Sequence, residues 1–292
     1  MHSIDVSIIM PLGPRADVPT GSLQALEQLQ SPACEVIVVI DRNASAEPKI
    51  RKLFPGVRVI HCRGRGSYAA RNTGAAAARA GNFAFLDAGC LPERNWLSEG
   101  IRVLTAETNC GAVGGRIFQP LRNHPTGTEL CEVVMYLDQQ HYVEELGFAA
   151  TANCFVSREV FEHVGGFDPR FQSGGDWALS QKLKRHGFSV RYADSAMVVH
   201  PPRSRFADFV AKERRLQKGH MMLTRQGEMQ HVRFPLRSII PPLRRMAVLW
   251  RRTSARSMEE RVRAQMAYLI AHYLLFLDRL WLGARRGALD VD

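Results

Sequence analysis

Residues Gly81 to Leu97, GNFAFLDAGCLPERNWL, decide how this chain is read. Phe83 to Leu86 is a continuous apolar run of the kind that fills a strand buried on both faces. The run stops at Asp87, and Gly89 and Pro92 then break regular structure. A carboxylate at the carboxyl end of a buried strand stands where open α/β sheets bind ligands. Asp also closes turns, so this stretch alone leaves Asp87 as either a turn residue or a binding residue.

Outward from that strand the same pattern recurs. Val6 to Met10 is a β-branched run ended by Pro11 and Gly13, and Glu35 to Ile40 (EVIVVI) is a second buried run, also ending in an aspartate, Asp41. Helical spacing over Leu23 to Leu29 and over Ala46 to Leu53 predicts two short helices, and Val57 to Cys62 a third strand. The alanine-rich Ala69 to Ala80 is a strong helix former leading into the Phe83 strand. Strands and helices alternating at this length imply an α/β fold with a mainly parallel, doubly wound sheet and right-handed connections. Further along, helices are expected at Leu97 to Thr108, Ser157 to Val164 (with Ser157 as N-cap) and Asp176 to His186. Strands are expected at Gly111 to Ile117, Ala149 to Val156, Ser189 to Tyr192 and Ala196 to Val199. Residues 119–147 read as polar and irregular, with one apolar stretch around Val133 to Leu137. Trp96 reads as core, at helical spacing with Leu97 and Ile101.

The 292 residues suffice for one large core plus an appendage. The six cysteines lie 20 to 28 residues apart, with neither CxxC nor other metal-ligand spacing, so zinc and a disulfide framework are not suggested. Apolar surroundings for several of them suit reduced thiols and a cytoplasmic setting. The opening MHSIDVSIIMPLG lacks the basic and long apolar regions of a signal peptide and runs into a strand.

The net charge of +11 is unevenly placed. Residues 1–202 hold 20 Lys and Arg against 20 Asp and Glu, residues 203–263 hold 16 against 5, and the last 29 hold 3 against 3. Composition changes sharply at Pro201-Pro202, which sets the expected boundary between a domain at 1–202 and a basic helical region at 203–292. There, helices are expected at Ser204 to Arg225, Pro241 to Arg252 and Met258 to Leu282. The apolar run Met266 to Leu282 carries His272, Asp278 and Arg279 and is short for a membrane span. With Arg244, Arg245, Arg251 and Arg252 before it, it suits an amphipathic anchor on an anionic membrane surface, such as the inner face of the cell membrane. The alternatives are an ordinary helical cap and a homodimer contact. Nucleic acid is not expected, because aromatic residues are sparse through the basic run.

One motif points elsewhere. Gly64-Arg65-Gly66-Ser67-Tyr68-Ala69 fits GxGxxA between a strand and a helix, with Asp87 about 20 residues on, the fingerprint of an NAD-dependent oxidoreductase. Phosphate-binding glycines of that kind normally follow the first strand, whereas two strand–helix units precede this one.

Taken together the segments resemble glycosyltransferase family 2, the inverting GT-A nucleotide-sugar transferases. The resemblance covers roughly residues 5–203. VSIIMPLG and EVIVVIDRNAS are similar to the opening strands, and GSYAARNTGAAAARAGNFAFLDAGCLPERNWL to the helix, strand and metal-site loop. GAVGGRI resembles the next strand; TANCFVSREVFEHVGGFDPRF, GGD and LKRHGFSVRYADSAMVVH resemble the acceptor loop, catalytic aspartate and closing strands. The resemblance implies a Rossmann-like GT-A fold. It places Pro11, Leu12, Asp41, Arg71, Asp87 and Ala88 on the donor nucleotide, with Arg71 near the diphosphate. It makes Asp87 the first carboxylate of the DxD motif, holding Mg²⁺ or Mn²⁺ between the phosphates of a UDP- or GDP-type sugar, with His200 as a further ligand. Asp176 is the implied general base, and Asn153 and Trp177 are implied on the acceptor side, facing a glycan or a lipid-linked acceptor. Two departures stand out: the second DxD carboxylate is absent (Asp87-Ala88-Gly89), and Gly175 precedes Asp176 where many members carry Glu. On the residues alone, His200 also reads as an ordinary strand-end histidine, Asp176 as a helix N-cap and Trp177 as core. A non-catalytic nucleotide-sugar binder is the other alternative that the incomplete DxD leaves open.

Overall fold

The computed structural model describes residues 4–227 and 240–287. Residues 1–3, 228–239 and 288–292, parts of the two regions read from sequence, lie outside the described residues. The chain runs β1 (Ile4–Leu12), α1 (Thr20–Glu27), β2 (Ala33–Ile40), α2 (Ala46–Leu53), β3 (Arg58–His61), α3 (Ser67–Ala77), β4 (Asn82–Leu86), β5 (Leu91–Pro92) and α4 (Trp96–Leu104). It continues through β6 (Cys110–Phe118), α5 (Gly127–Met135), α6 (Gln139–Glu144), β7 (Asn153–Ser157), α7 (Arg158–His163), α8 (Gly175–Arg185) and β8 (Ser189–Val199). Helices α9 (Phe206–Arg225), α10 (Leu243–Arg252) and α11 (Met258–Gly287) follow.

The strands join one mixed sheet in the order β3-β2-β1-β4-β7-β6-β8-β5. The first four lie parallel, as the alternating pattern predicts, and β6 is parallel to β8. β7 runs antiparallel between β4 and β6, and β5 is antiparallel to β8. Strand β4 shows why its run is apolar throughout. Ala84 and Leu86 enter the core that holds Trp96 and Phe155, while Phe83 packs edge-on against Phe161 and Phe85 edge-on against Phe167 and tilted against Phe161, the two faces alternating at period two.

Two sequence expectations change. Residues 119–147 are not irregular: Thr126 and Glu129 form a reciprocal capping box that starts α5, and the Asp138 side chain caps α6. The two strands expected at residues 189–199 are one strand, β8, with an irregularity opposite Gly115/Ile117 of β6.

The chain divides into two compact units, residues 1–119 with 137–201, and residues 120–136 with 202–292. The second takes in α5, which the sequence reading leaves within 1–202. Its core gathers Leu130, Cys131, Phe209, Leu249, Ala264 and Tyr268. Glu132 is wholly buried there, paired with Lys212 at 2.8 Å and Arg203 at 3.1 Å. Among the described residues no helix is long and apolar enough to cross a membrane. All six cysteines are free thiols.

Candidate active site

Because β1, β2 and β4 are parallel, their carboxyl ends lie side by side, and Asp41 and Asp87 each follow the last residue of a strand. Asp41 is buried and accepts hydrogen bonds from the Gly66 N–H (2.9 Å) and from Arg42 Nε (2.9 Å). Burial works to raise its pKa, but those donors and the charges of Arg42 and Arg65 prevail and hold it below the usual carboxylate range. It therefore favours the ionised form, a hydrogen-bond acceptor at the strand ends. Asp87 sits in a tight turn, its carbonyl accepting the Cys90 N–H at 3.0 Å, with Gly89 supplying the left-handed residue (φ +100°).

Helix α3 supplies the positive counterpart. Arg71, 3% exposed, is ion-paired with the Asp87 carboxylate, 38% exposed. Its guanidinium lies 5.5 Å from the Tyr68 ring centroid, one helical turn back on the same face. Asn72 is a clamp: its amide N–H donates to the Phe167 carbonyl (2.7 Å) and its oxygen accepts the Phe167 N–H (3.0 Å). Gly74 lets α3 press on the sheet, for a Cβ there would strike the Ile9 and Val39 side chains. The Ala-Arg-Asn-x-Gly stretch thus has a physical reason at each of its polar and glycine positions.

The Asn72–Phe167 clamp holds the loop that leads into α8, where Asp176 lies. Gly174, in the left-handed conformation, is the N-cap of α8, so Asp176 is within the first turn and does not cap it. Its Oδ1 accepts from the Tyr68 hydroxyl (3.2 Å) and the Trp177 N–H (3.0 Å). Burial raises its pKa, opposed by the Trp177 N–H, the Arg71 charge and the Tyr68 hydroxyl. Arg71 acts on Asp87 and Asp176 together, which brings the two acids into one electrostatic neighbourhood.

The other expected residues divide. Pro11 is half-buried at the end of β1. Leu12 has its side chain wholly in the core, so only its main chain faces the strand ends, and its carbonyl accepts the Asp41 N–H (2.9 Å). Ala88 packs against the same core. Asn153 corrects the sequence reading. It is wholly buried, its oxygen accepting from Trp96 Nε1 (2.8 Å) and its N–H groups donating to the Arg116 (2.9 Å) and Ala196 (2.8 Å) carbonyls. It binds β7 to β6 and β8 and has no group left for an acceptor. Trp177 is half-buried in edge contact with Phe148 (5.3 Å), which stacks on Tyr142 (4.7 Å). Its indole N–H is buried without a hydrogen-bond partner, the state of a donor that a ligand oxygen can satisfy.

His200 follows Val199, which pairs with Leu91, so it lies beside the Asp87–Cys90 turn, with its N–H on the Phe118 carbonyl (2.8 Å). Among the described residues no group of three or more His, Cys, Asp and Glu side chains is placed to hold a metal ion. One partly exposed carboxylate with an oxygen off Arg71 fits a hard cation only if phosphate and water supply most of its ligands. The second glycine of the dinucleotide fingerprint is engaged otherwise. Gly66 gives its N–H to Asp41, and the strand before it is β3, at the sheet edge.

Residues 7–165 match the profile described as Glycosyl transferase family 2. Glycosyltransferase AglE of Haloferax volcanii is 29% identical over 225 residues, 75% of this chain and 73% of that protein. Among solved structures, the fold is similar to the mannosyltransferase PcManGT from Pyrobaculum calidifontis in complex with GDP-Man and Mn²⁺, with a TM-score of 0.58 at 18% identity, covering 94% of this chain and 87% of that one. It is similar also to GalNAc-T7 with UDP, GalNAc and Mn²⁺, with a TM-score of 0.52 at 16% identity, covering 73% of this chain and 47% of that one. The fold is GT-A, and the oxidoreductase alternative built on Gly64 and Gly66 falls with it. The protein is a glycosyltransferase enzyme: the chain belongs to glycosyl transferase family 2.

Proposed function

We propose that this enzyme moves a sugar from a nucleoside-diphosphate sugar to an acceptor hydroxyl with inversion at the anomeric carbon. The observation that carries the reading is Asp176, a half-buried carboxylate with a raised pKa held beside the Arg71–Asp87 pair. Asp176 takes the proton from the acceptor hydroxyl as that oxygen attacks the anomeric carbon, a task favoured by a pKa above the ordinary carboxylate range. The bond to the diphosphate breaks on the opposite face, its electron pair leaving with the diphosphate. The transition state is oxocarbenium-like, and Arg71 lies near the departing charge. Pro11, the Leu12 and Ala88 main chain and Asp41 bind the nucleotide. Asp87 and His200 would hold a divalent cation, Mg²⁺ or Mn²⁺, which when bound stabilises charge on the leaving diphosphate. The Trp177 indole N–H faces the acceptor. The bound GDP-Man of PcManGT and the UDP of GalNAc-T7 make both nucleotides candidate donors. Turnover of a panel of UDP- and GDP-sugars with Mn²⁺, Mg²⁺ or chelator tests the reading; no release of nucleoside diphosphate from any donor would contradict it.

For the second unit we propose a peripheral contact with anionic lipid at the inner membrane face. Exposed Leu243 and Trp250 alternate with exposed Arg244, Arg251 and Arg252 on α10. On α11, Met258, Val262, Met266, Ile270 and Leu277 are exposed along one face, opposite the buried Ala264, Tyr268 and Ala271. An apolar face beside arginines complements acidic headgroups. Flotation with phosphatidylglycerol vesicles but not with pure phosphatidylcholine is the expected result; equal behaviour with both would overturn it.

A further inference from the structure

The helix that carries Asp176 is seated on an aromatic ring. A Cβ at Gly175 would lie 2.8–2.9 Å from three carbons of the Tyr68 ring, a separation that forces something to shift. The ring occupies the space that any side chain at position 175 would need, and Gly175 is one of the two departures visible in the sequence. Tyr68 is buried and braced by Phe167 (centroids 5.3 Å apart), the residue that Asn72 clamps. Its hydroxyl reaches Asp176 Oδ1, where the Trp177 N–H also arrives, and Oδ2 takes neither bond.

We propose that Tyr68 is the positioning residue of the general base: its ring, against Gly175, sets the height of α8, and its hydroxyl fixes the Asp176 carboxylate so that Oδ2 faces the acceptor. This rests on the reading of Asp176 as the base. The chemistry is consistent throughout. Burial and the nearby Asp176 charge push the Tyr68 phenol far above its ordinary range, so it remains a donor wherever the enzyme works. A donor on the charged form of a half-buried carboxylate favours ionisation and offsets part of the desolvation. The titratable and charged groups facing Asp176 are Tyr68 and Arg71 from α3 and the buried Cys154 thiol from β7.

The test pairs Tyr68→Phe with the wild-type chain. Carbon-13 NMR of the aspartate carboxyls reads the Asp176 titration without substrate, assigned through loss of its signal in Asp176→Asn. Removing the hydroxyl should move that titration up by about one pH unit. The acid limb of donor turnover should move with it, lowering kcat and leaving the donor KM unchanged. An unchanged titration overturns the proposal, as does a uniform loss of turnover with no shift. The ring is tested separately: Gly175→Ala should cut turnover about tenfold or more in the wild-type chain and much less in a Tyr68→Ala background. Equal losses in both would overturn the seating. If Asp176→Asn retains turnover, the reading of the base fails, while the titration still reports on Tyr68.

Discussion

Arg71 and Asp87 form an ion pair in which the guanidinium is buried and the carboxylate is partly open to solvent. The arginine is the less replaceable partner, since its charge also reaches Asp176. Arg71→Met should lower donor kcat/KM by about 100-fold, the scale of removing one charged stabiliser of a transition state. Arg71→Lys should fall between, keeping charge without the planar fork. Steady-state kinetics with the best donor of the panel check this; a Met variant within twofold of wild type would contradict it.

Asn153 is expected to matter for stability rather than for acceptor choice. Asn153→Leu strands the Trp96 indole N–H and the carbonyls of Arg116 and Ala196 in the core. The cost should be about 3 kcal/mol, read as a lower urea midpoint. Acceptor preference of the folded fraction should be unaltered.

Two carboxylates give opposite pH dependences. Asp176 has a folded pKa above its unfolded value, so the folded state binds the proton more tightly and this group's contribution to stability falls as pH rises through the folded pKa. Asp41 is held below its unfolded value, so its contribution is present above the unfolded pKa and lost as pH falls through the folded one. Asp176→Asn should therefore raise the neutral-pH melting temperature by roughly 2 °C or more, whereas Asp41→Asn should lower it. Scanning fluorimetry of both variants decides the signs.

In the second unit Glu132 is wholly buried and Lys212 nearly so, 2.8 Å apart. Lys212→Met leaves that carboxylate with Arg203 alone and should cost about 3–5 kcal/mol. The double variant Glu132→Leu/Lys212→Met should recover most of the loss. Chemical denaturation of the whole protein monitors both.

Much of the first unit was legible because β1, β2 and β4 are apolar on both faces and each is closed by a turn residue or an aspartate. The strand at β7 is also legible, but its antiparallel direction is not, since Asn153–Ser157 reads like any buried run and direction leaves no mark in composition. Helix α5 escaped because its start is fixed by the Thr126–Glu129 capping box within a polar stretch. Among the candidate site residues, Asp41, Arg71, Asp87 and Asp176 are marked by strand ends and motif order. Tyr68 is not, because its contact with Gly175 joins positions 107 apart in the chain. Asn153 misled for a related reason: a polar residue in a motif looks available until its three partners are in place.

The most direct measurement is donor turnover by Asp176→Asn set beside its affinity for UDP and GDP, on one preparation. Loss of turnover by about 1,000-fold, with nucleotide affinity within a few-fold of wild type, is the predicted result. Near-normal turnover would remove Asp176 from the chemistry and contradict the account.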